Sequence, residues 1–256
     1  MSISSITDLF DSAADEGAGM SQASVGLMVN NLNANTMLGA QGASADDLAG
    51  DQVTLFVEII DKSGSMGVVQ DTVIHAYNEQ VRALKASKMA DSILMSTWTF
   101  STRSELLHGY LPLDSVPDLS RAVYSPDDLT ALYDAILDAF TSVVAYAQTL
   151  IDAGIQVKVV VVVLTDGQNN ASRHSAAAVA TIAADLLKKE YYTLALVAFG
   201  VDGLDIAREI GFPTANVMDE DTDASSIRRA LGTISSSVIR TSQTLVGAQG
   251  SQSFFS

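Results

Sequence analysis

An apolar segment at residues 157–164, interrupted only by Lys158, sets the strongest limit on how this chain can fold. The segment is too short to cross a bilayer, because a membrane-spanning helix needs about 20 apolar residues. Its run of valines is instead typical of a strand that is buried on both faces of a parallel sheet. The chain is therefore expected to contain a central parallel sheet covered by helices.

Strand and helix patterns alternate on both sides of this segment, from about residue 51 onward. Strands are predicted at residues 53–60, 92–100, 157–165, 192–199 and 215–218, with a short edge strand at 103–111. Apolar residues with helical spacing predict helices near residues 69–84, 132–150, 175–189, 204–210 and 225–239. This alternation predicts an α/β fold, with a doubly wound, mostly parallel sheet and helices on both faces.

The composition limits the kinds of partner that the chain can bind. Its 30 acidic and 14 basic side chains give a net charge of −16, whereas affinity for phosphate backbones comes from Lys and Arg. We therefore expect no nucleic acid and no membrane as partner, but a cation or a basic patch on another protein. The absence of Cys excludes disulfides and Cys-ligated zinc. No secretory signal pattern is visible at the start, so a cytoplasmic location is expected.

The two ends of the chain differ in composition from the middle. Residues 1–50 are rich in Ser, Ala, Gly and Asn and contain no Lys or Arg. A short helix is possible there, since Ile6, Leu9 and Phe10 have helical spacing. The preferred interpretation is nevertheless a flexible or partner-docking arm. The main domain is expected over residues 51–242, followed by a loose tail over 243–256.

Oxygen-bearing side chains lie at the ends of several predicted elements. Asp61, Ser63 and Ser65 occupy alternate positions on the turn after the first strand. Asp166 follows the valine-rich strand, and Thr130 lies at the start of the predicted long helix. Because ligands of parallel sheets bind beyond the carboxyl ends of the strands, we expect the five residues to meet at one edge. Carboxylate and hydroxyl oxygens are hard donors, which suit a small divalent cation such as Mg²⁺.

Each part of this set has a simpler explanation when it is considered alone. Residues 61–65 could form a turn with a helix cap, and Thr130 could be the N-cap of the following helix. Asp166 and Gly167 could form an ordinary turn. Because the five residues occur together, in order and at predicted strand ends, a shared metal site is the stronger interpretation.

Residues 53 to about 240 resemble a von Willebrand factor A domain, and Asp61-x-Ser63-x-Ser65, Thr130 and Asp166 match the metal-ion-dependent adhesion site (MIDAS) of that family. The resemblance implies a bound Mg²⁺ or Mn²⁺ ion that bridges to an acidic residue of a partner protein. The intracellular bacterial branch, including the tellurite-resistance-associated type, is the most similar. Similarity to this branch implies a MoxR-like AAA+ ATPase or a neighbouring stress- or defence-system protein as partner.

The sequence departs from the usual pattern of that family directly before Thr130, where Gly-Gly is common. Asp128 and Leu129 occupy those positions here, preceded by Asp127, and the two extra carboxylates could either tighten the metal site or repel an acidic ligand. Lys62, beside the predicted site, is expected to point away from the ion. Glu58 lies within an apolar strand and needs a buried partner, which the sequence does not identify.

These features favour a metal-dependent protein-binding module that is not an enzyme. One alternative is a structural subunit of a phage particle or filament, a role that implies self-assembly. A long N-terminal arm and a loose tail would suit such a subunit. Another is a haloacid-dehalogenase-like phosphatase with Asp61 as nucleophile, although Ser63 stands where that family carries its general acid. The three histidines, His75, His108 and His174, lack the spacing of zinc ligands.

Overall fold

The computed structural model describes residues 2–15, 19–244 and 253–256, and these contain six strands and eight α-helices. The strands are β1 (Gln52–Asp61), β2 (Ile93–Phe100), β3 (Ser104–Pro112), β4 (Gln156–Thr165), β5 (Tyr192–Phe199) and β6 (Val217–Glu220). The helices are α1 (Ile3–Asp15), α2 (Gln22–Asn30), α3 (Ala34–Gly39), α4 (Gln70–Lys85), α5 (Leu132–Asp152), α6 (Ala176–Lys188), α7 (Gly203–Ile210) and α8 (Ala224–Gln243). The predicted alternation of strands and helices is therefore confirmed.

The six strands form one sheet in the order β3-β2-β1-β4-β5-β6. Only the edge pair β2 and β3 is antiparallel, and the other neighbours are parallel. The chain runs outward from β1 to β2 on one side and from β4 to β6 on the other. The topological switch point, where such sheets bind ligands, therefore lies between the carboxyl ends of β1 and β4.

The sheet is covered by helices on both faces, as the sequence predicts. One core contains Ile59, Trp98 and Val161 and is closed mainly by α5, with α6 and α7 beside it. The opposite core contains Ile60 and Val162 and is closed by α4 and α8. Successive residues of β1 and β4 thus face opposite cores, which accounts for the valine run of β4 and the mostly apolar sequence of β1.

Residues 1–50 are not a free arm where the structure describes them, which corrects the prediction from composition. Helices α1, α2 and α3 pack on α5, and the buried side chains of Ile6, Phe10 and Met28 belong to the same core as the sheet. Gly39 lies so close to the indole of Trp98 that any side chain at this position would clash with the ring. The segment covers a second apolar face of α5, and it is therefore part of the folded domain.

Polar contacts fix the same segment at two further points. The Asn31 and Asn33 amides donate hydrogen bonds of 2.9 and 3.0 Å to Asp138 on α5. The Ser24 hydroxyl donates to Asp185 on α6 at 2.7 Å. Next to these helices, Gly42 forms a parallel bridge with Tyr110, so the chain covers part of the outer edge of β3.

The C-terminal tail was predicted to be loose, and its residues 245–252 lie outside the described residues. The last four residues contradict that prediction. The side chain of Phe254 is buried in the core beneath α4 and α8, and its backbone N–H donates to Asn216 Oδ1 at 2.8 Å. Within the described part of the chain, no helix combines the length and apolar character needed to cross a membrane.

Candidate metal centre

The predicted ligands lie at the switch point of the sheet. Asp61 is the last residue of β1, and Asp166 follows the last residue of β4, which is Thr165. Because β1 and β4 are parallel neighbours, their carboxyl ends bring these two residues to the same corner of the sheet. The turn after β1 then continues directly into a short 3-10 helix, Gly64–Val69, which carries Ser65.

Four of the five predicted side chains form one hydrogen-bonded cluster. Asp61 Oδ1 accepts a hydrogen bond of 2.7 Å from the Ser63 backbone N–H. The hydroxyl oxygens of Ser63 and Ser65 lie 3.2 Å apart, and the Ser65 hydroxyl donates to Asp166 Oδ1 at 2.8 Å. The cluster therefore brings two carboxylates and two hydroxyls within reach of one small ion.

Thr130, the fifth predicted residue, lies against this cluster. A Cβ atom added to Gly167, the residue after Asp166, would lie only 3.5 Å from Thr130 Oγ1. The loop that carries Thr130 is joined to the turn after β1, because the Gly64 N–H donates to Asp128 O at 3.1 Å. Thr130 is 4% exposed, and its hydroxyl has no hydrogen-bond partner among the described residues. The hydroxyl oxygen is not among the buried side-chain atoms that lack a partner, so it is open to water or to an ion.

The simpler explanation of Thr130 as a helix cap does not fit the structure. Helix α5 begins at Leu132, so its N-cap position is Ala131, which supplies no side-chain cap. The Ser172 hydroxyl oxygen, from the loop after β4, accepts hydrogen bonds from the Tyr133 and Asp134 N–H groups instead. Similarly, Ser63 precedes the 3-10 helix without making a side-chain cap. The oxygen atoms of the cluster are thus not consumed by helix capping.

The site concentrates uncompensated negative charge at a place that is buried at Asp61 and open to solvent at Ser65. Asp61 is 0% exposed, and this burial raises the pKa of its carboxyl to about 6. Hydrogen bonds from Ser63 and Thr165 lower the pKa in part, whereas the nearby charge of Asp166 raises it. Burial also raises the pKa of Asp166. Neither carboxylate forms an ion pair with a basic side chain of the described residues. A bound divalent cation would provide the missing positive charge.

The neighbouring basic residue takes no part in this site. Lys62 Nζ lies 2.7 Å from Glu105 Oε2 on β3, so its charge is directed along the sheet edge. The prediction that Lys62 points away from the ion is thereby confirmed. The partner of Glu58, which the sequence does not identify, is Gln80 on α4, whose amide donates at 2.9 Å.

Asp128 shows how the chain replaces the Gly-Gly pattern before Thr130. It is the only non-glycine residue with a positive φ among the described residues, at 56°. Asp and Asn adopt this left-handed conformation more readily than most residues, because their short side chains can bond locally. Leu129, which follows, is 52% exposed, and Val68 on the facing turn is 86% exposed. The mouth of the site therefore carries both carboxylates and exposed apolar side chains.

Three residues that support the site were not predicted from the sequence. The Thr165 hydroxyl donates to Asp61 Oδ2 at 2.6 Å, and the Tyr124 hydroxyl donates to the Asp61 carbonyl at 2.7 Å. Asn170 Oδ1 accepts from the Thr130 N–H at 2.8 Å. A signal existed for Thr165, since it is the polar residue that ends the valine run beside Asp166. Tyr124 and Asn170 lie in loops without any pattern.

The donor set is chemically distinct from a zinc-type site. The described residues contain no group of three or more His, Cys, Asp or Glu side chains that could hold a metal. His75 lies on α4, His108 on β3 and His174 in the loop before α6, so the histidines are dispersed. Any metal centre here must therefore use hydroxyl oxygens together with the two carboxylates, as Mg²⁺ and Mn²⁺ sites can.

No model of a protein family and no curated protein matches this chain, whereas solved structures do. Proximal thread matrix protein 1 from the mussel byssus, with a zinc-occupied MIDAS motif, matches with TM-score 0.51 and 16% identity, over 75% of this chain and 46% of that one. The pilus adhesin SpaC from Lactobacillus rhamnosus GG matches with TM-score 0.57 and 12% identity, over 76% and 31%. The PilB minor pilin from Streptococcus sanguinis matches with TM-score 0.53 and 13% identity, over 79% and 64%.

These similarities show the fold. Together with the sheet order, they establish that the chain has a von Willebrand factor A-type α/β fold. The chain spans less than two thirds of the length of each of these proteins. At such low identity, the activities and partners of those proteins do not transfer to this chain with the fold.

Proposed function

We propose that this chain is a protein-binding module that depends on a divalent cation at the corner between β1 and β4. Ser63, Ser65 and Thr130 hold the ion through their hydroxyls, while Asp61 and Asp166 neutralise and orient it. The strongest support is the meeting of two unpaired carboxylates with the partnerless hydroxyl of Thr130. Nothing else among the described residues balances the charge of this corner.

The chemistry of the donors favours Mg²⁺ or Mn²⁺ as the ion. All five side chains offer hard oxygen atoms, and these ions prefer such ligands. The zinc in the MIDAS motif of the mussel protein is consistent with a divalent cation at this place in the fold. Because three of the ligands are neutral, the ion would retain much of its charge. It is therefore suited to accept a carboxylate from outside the chain.

The partner in this proposal is a protein that presents Glu or Asp to the ion. Val68 and Leu129 flank the site as exposed apolar side chains, so they can exclude water around that contact. By the family resemblance, a MoxR-like AAA+ ATPase or a stress- or defence-system protein is a candidate. We propose no catalytic role, since Ser63 stands where a haloacid-dehalogenase-like phosphatase would need an acid.

The alternative proposal of an assembly subunit loses part of its basis. It drew on a long free arm and a loose tail, but α1, α2 and α3 pack on the domain and Phe254 is buried. An arm of that kind would have to detach from the core before it could join another copy. The metal-dependent module needs no such rearrangement.

Metal addition is expected to stabilise the wild-type chain, and replacing Asp61 by Asn is expected to remove that effect. An ion that binds only the folded state adds about 2.7 kcal/mol when its free concentration is 100 times its Kd. Asn keeps the shape of Asp61 but lacks its charge, so the metal-free Asp61→Asn variant should stay folded. Thermal unfolding with Mg²⁺, with Mn²⁺ and with EDTA measures both the stabilisation by metal and the stability of the metal-free chains.

Asp114→Asn is the matched control, because Asp114 is an exposed carboxylate after β3, at the opposite end of the sheet. Its metal response should equal that of the wild type. A wild-type chain whose unfolding temperature is the same with Mg²⁺, Mn²⁺ and EDTA would contradict the metal site. Partner ligation has a separate test, in which a pull-down should lose its partner both with EDTA and with Asp61→Asn. A partner retained in every lane would place the binding surface elsewhere.

A further inference from the structure

We infer that Asn170 is a positioning residue, which fixes the metal ligand Thr130 relative to Asp166. This inference rests on the proposed function. It concerns the loop between β4 and α6, at residues 166–175. One end of this loop carries Asp166, and its middle holds the backbone of Thr130 from another part of the chain.

The contact between Asn170 and Thr130 engages both polar backbone groups of Thr130. Its N–H donates to Asn170 Oδ1 at 2.8 Å. Its carbonyl accepts from the N–H groups of Asn170 and Ala171 at 3.0 and 3.1 Å. The backbone of Thr130 is therefore held by three hydrogen bonds, all of which come from the loop that begins with Asp166.

The rest of the loop is attached to the first turn of α5, which makes it a firm support. The Ser172 hydroxyl oxygen accepts from the Tyr133 and Asp134 N–H groups at 3.0 and 3.2 Å. The Asp134 carboxylate in turn accepts from the Arg173 and His174 N–H groups. Helix α5 thus receives its cap from the loop after β4, and the two segments form one unit.

The Thr130 hydroxyl makes no hydrogen bond with the described residues, whereas the backbone of Thr130 makes several. Its direction therefore depends on how firmly the backbone of Thr130 is fixed. Asn170 is exposed, so its side chain contributes little to core packing. Loss of that side chain should leave the fold intact but allow Thr130 to move away from the ion. Residues that orient metal ligands typically change affinity by about 10–100-fold when they are replaced.

The test compares metal binding by Asn170→Ala and Asn169→Ala with that of the full-length wild-type chain. Isothermal titration with Mn²⁺ and with Mg²⁺ gives the Kd, and thermal unfolding in EDTA checks the fold. Asn170→Ala should weaken binding by about 10-fold or more, with an unchanged unfolding temperature in EDTA. Asn169 lies in the same loop but accepts from Ser172 and not from Thr130, so Asn169→Ala should bind like the wild type.

A double-mutant cycle with Thr130→Ala separates positioning from a general effect on the loop. If Asn170 acts through Thr130, adding Asn170→Ala to Thr130→Ala should weaken binding no further. Asn170→Asp keeps an acceptor for the Thr130 N–H and should restore affinity. Asn169→Asp adds the same charge one residue away, so it measures how much of that recovery is electrostatic.

Wild-type affinity in Asn170→Ala would overturn the inference and leave the proposed metal site intact. The same conclusion would follow if Asn169→Ala weakened binding equally, or if the two effects in the cycle simply added. A wild-type chain that binds neither Mn²⁺ nor Mg²⁺ would overturn the proposed function, and the inference with it.

Discussion

Replacing Phe10 by Ala is expected to destabilise this chain by about 3–5 kcal/mol, the usual cost of removing a buried aromatic side chain. Phe10 is completely buried, and it belongs to the core that α5 shares with the sheet. Its replacement leaves a cavity between α1 and α5 that neighbouring side chains fill only in part. Denaturant unfolding followed by circular dichroism measures the free-energy difference.

Leu38→Ala is the control, because Leu38 lies on α3 in the same segment but is more than half exposed. Its effect should stay within about 0.5 kcal/mol. Deleting residues 1–45 should have a larger effect and abolish cooperative unfolding, since it uncovers the second apolar face of α5. If Phe10→Ala had no more effect than Leu38→Ala, the packing of the N-terminal helices would be refuted.

Replacing Glu58 by Gln is expected to stabilise the chain by about 3 kcal/mol at pH 7. Burial raises the pKa of Glu58 from 4.5 to about 8, although the hydrogen bond from Gln80 opposes this. The folded state therefore keeps a proton that the unfolded state releases, so stability falls as the pH rises from about 4.5 to about 8. Each pH unit in this range costs about 1.4 kcal/mol, and Gln has no proton to retain.

The hydrogen-bond pattern explains why Gln should fit this position. Gln80 Nε2 donates to Glu58 Oε1, but Glu58 Oε2 and Gln80 Oε1 are both buried without a partner among the described residues. Only a neutral carboxyl or an amide at position 58 offers a donor to this pair. An ionised Glu58 offers none, and an unsatisfied buried group costs about 1–3 kcal/mol.

Denaturant unfolding between pH 4 and pH 9 tests this prediction. The difference between Glu58→Gln and the wild type should be small at pH 4 and should grow steadily up to about pH 8. Glu79→Gln changes an exposed carboxylate on α4, next to Gln80, and is the matched control, whose difference from the wild type should not grow with pH. A pH-independent difference between Glu58→Gln and the wild type would show that the pKa of Glu58 is the same in the folded and unfolded states, which would refute the prediction.

The sheet could be predicted because its strands carry their own signal. The residues of β1 and β4 are buried along nearly their whole length and are mostly apolar, since both faces of each strand are covered. The five oxygen donors could be found for the same reason, because each follows or precedes a segment that is recognisable by itself. Their meeting at one corner then follows from the parallel arrangement of the strands.

The role of residues 1–50 could not be predicted from their own composition. Their buried side chains are few and separated by Ser, Gly and Asn, so they resemble a flexible segment. The missed signal lay in α5, where Val143, Val144 and Ala145 are consecutive and all buried. Consecutive apolar residues face different sides of a helix, so such a helix must be covered on more than one side. The sheet covers only one face of α5, so another segment had to cover the rest.

The support around the site could not be predicted, because it depends on loop contacts. Asn170 and Thr130 are distant in sequence, and no periodic pattern joins a residue in a loop to a backbone group elsewhere. Helix α5 also lacks a capping residue of its own, and Ser172 supplies the cap from another loop. Such contacts become visible only when the strands are placed next to each other.

The position of Trp98 gives the chain an intrinsic optical probe. It is the only tryptophan, its indole is fully buried, and it lies directly beneath Gly39 of α3. The fluorescence emission of this single residue should therefore be blue-shifted in the native protein, and it should shift to the red when α3 leaves the sheet. Detachment of the N-terminal helices can thus be followed in real time without a label, and circular dichroism recorded alongside distinguishes it from melting of the whole domain.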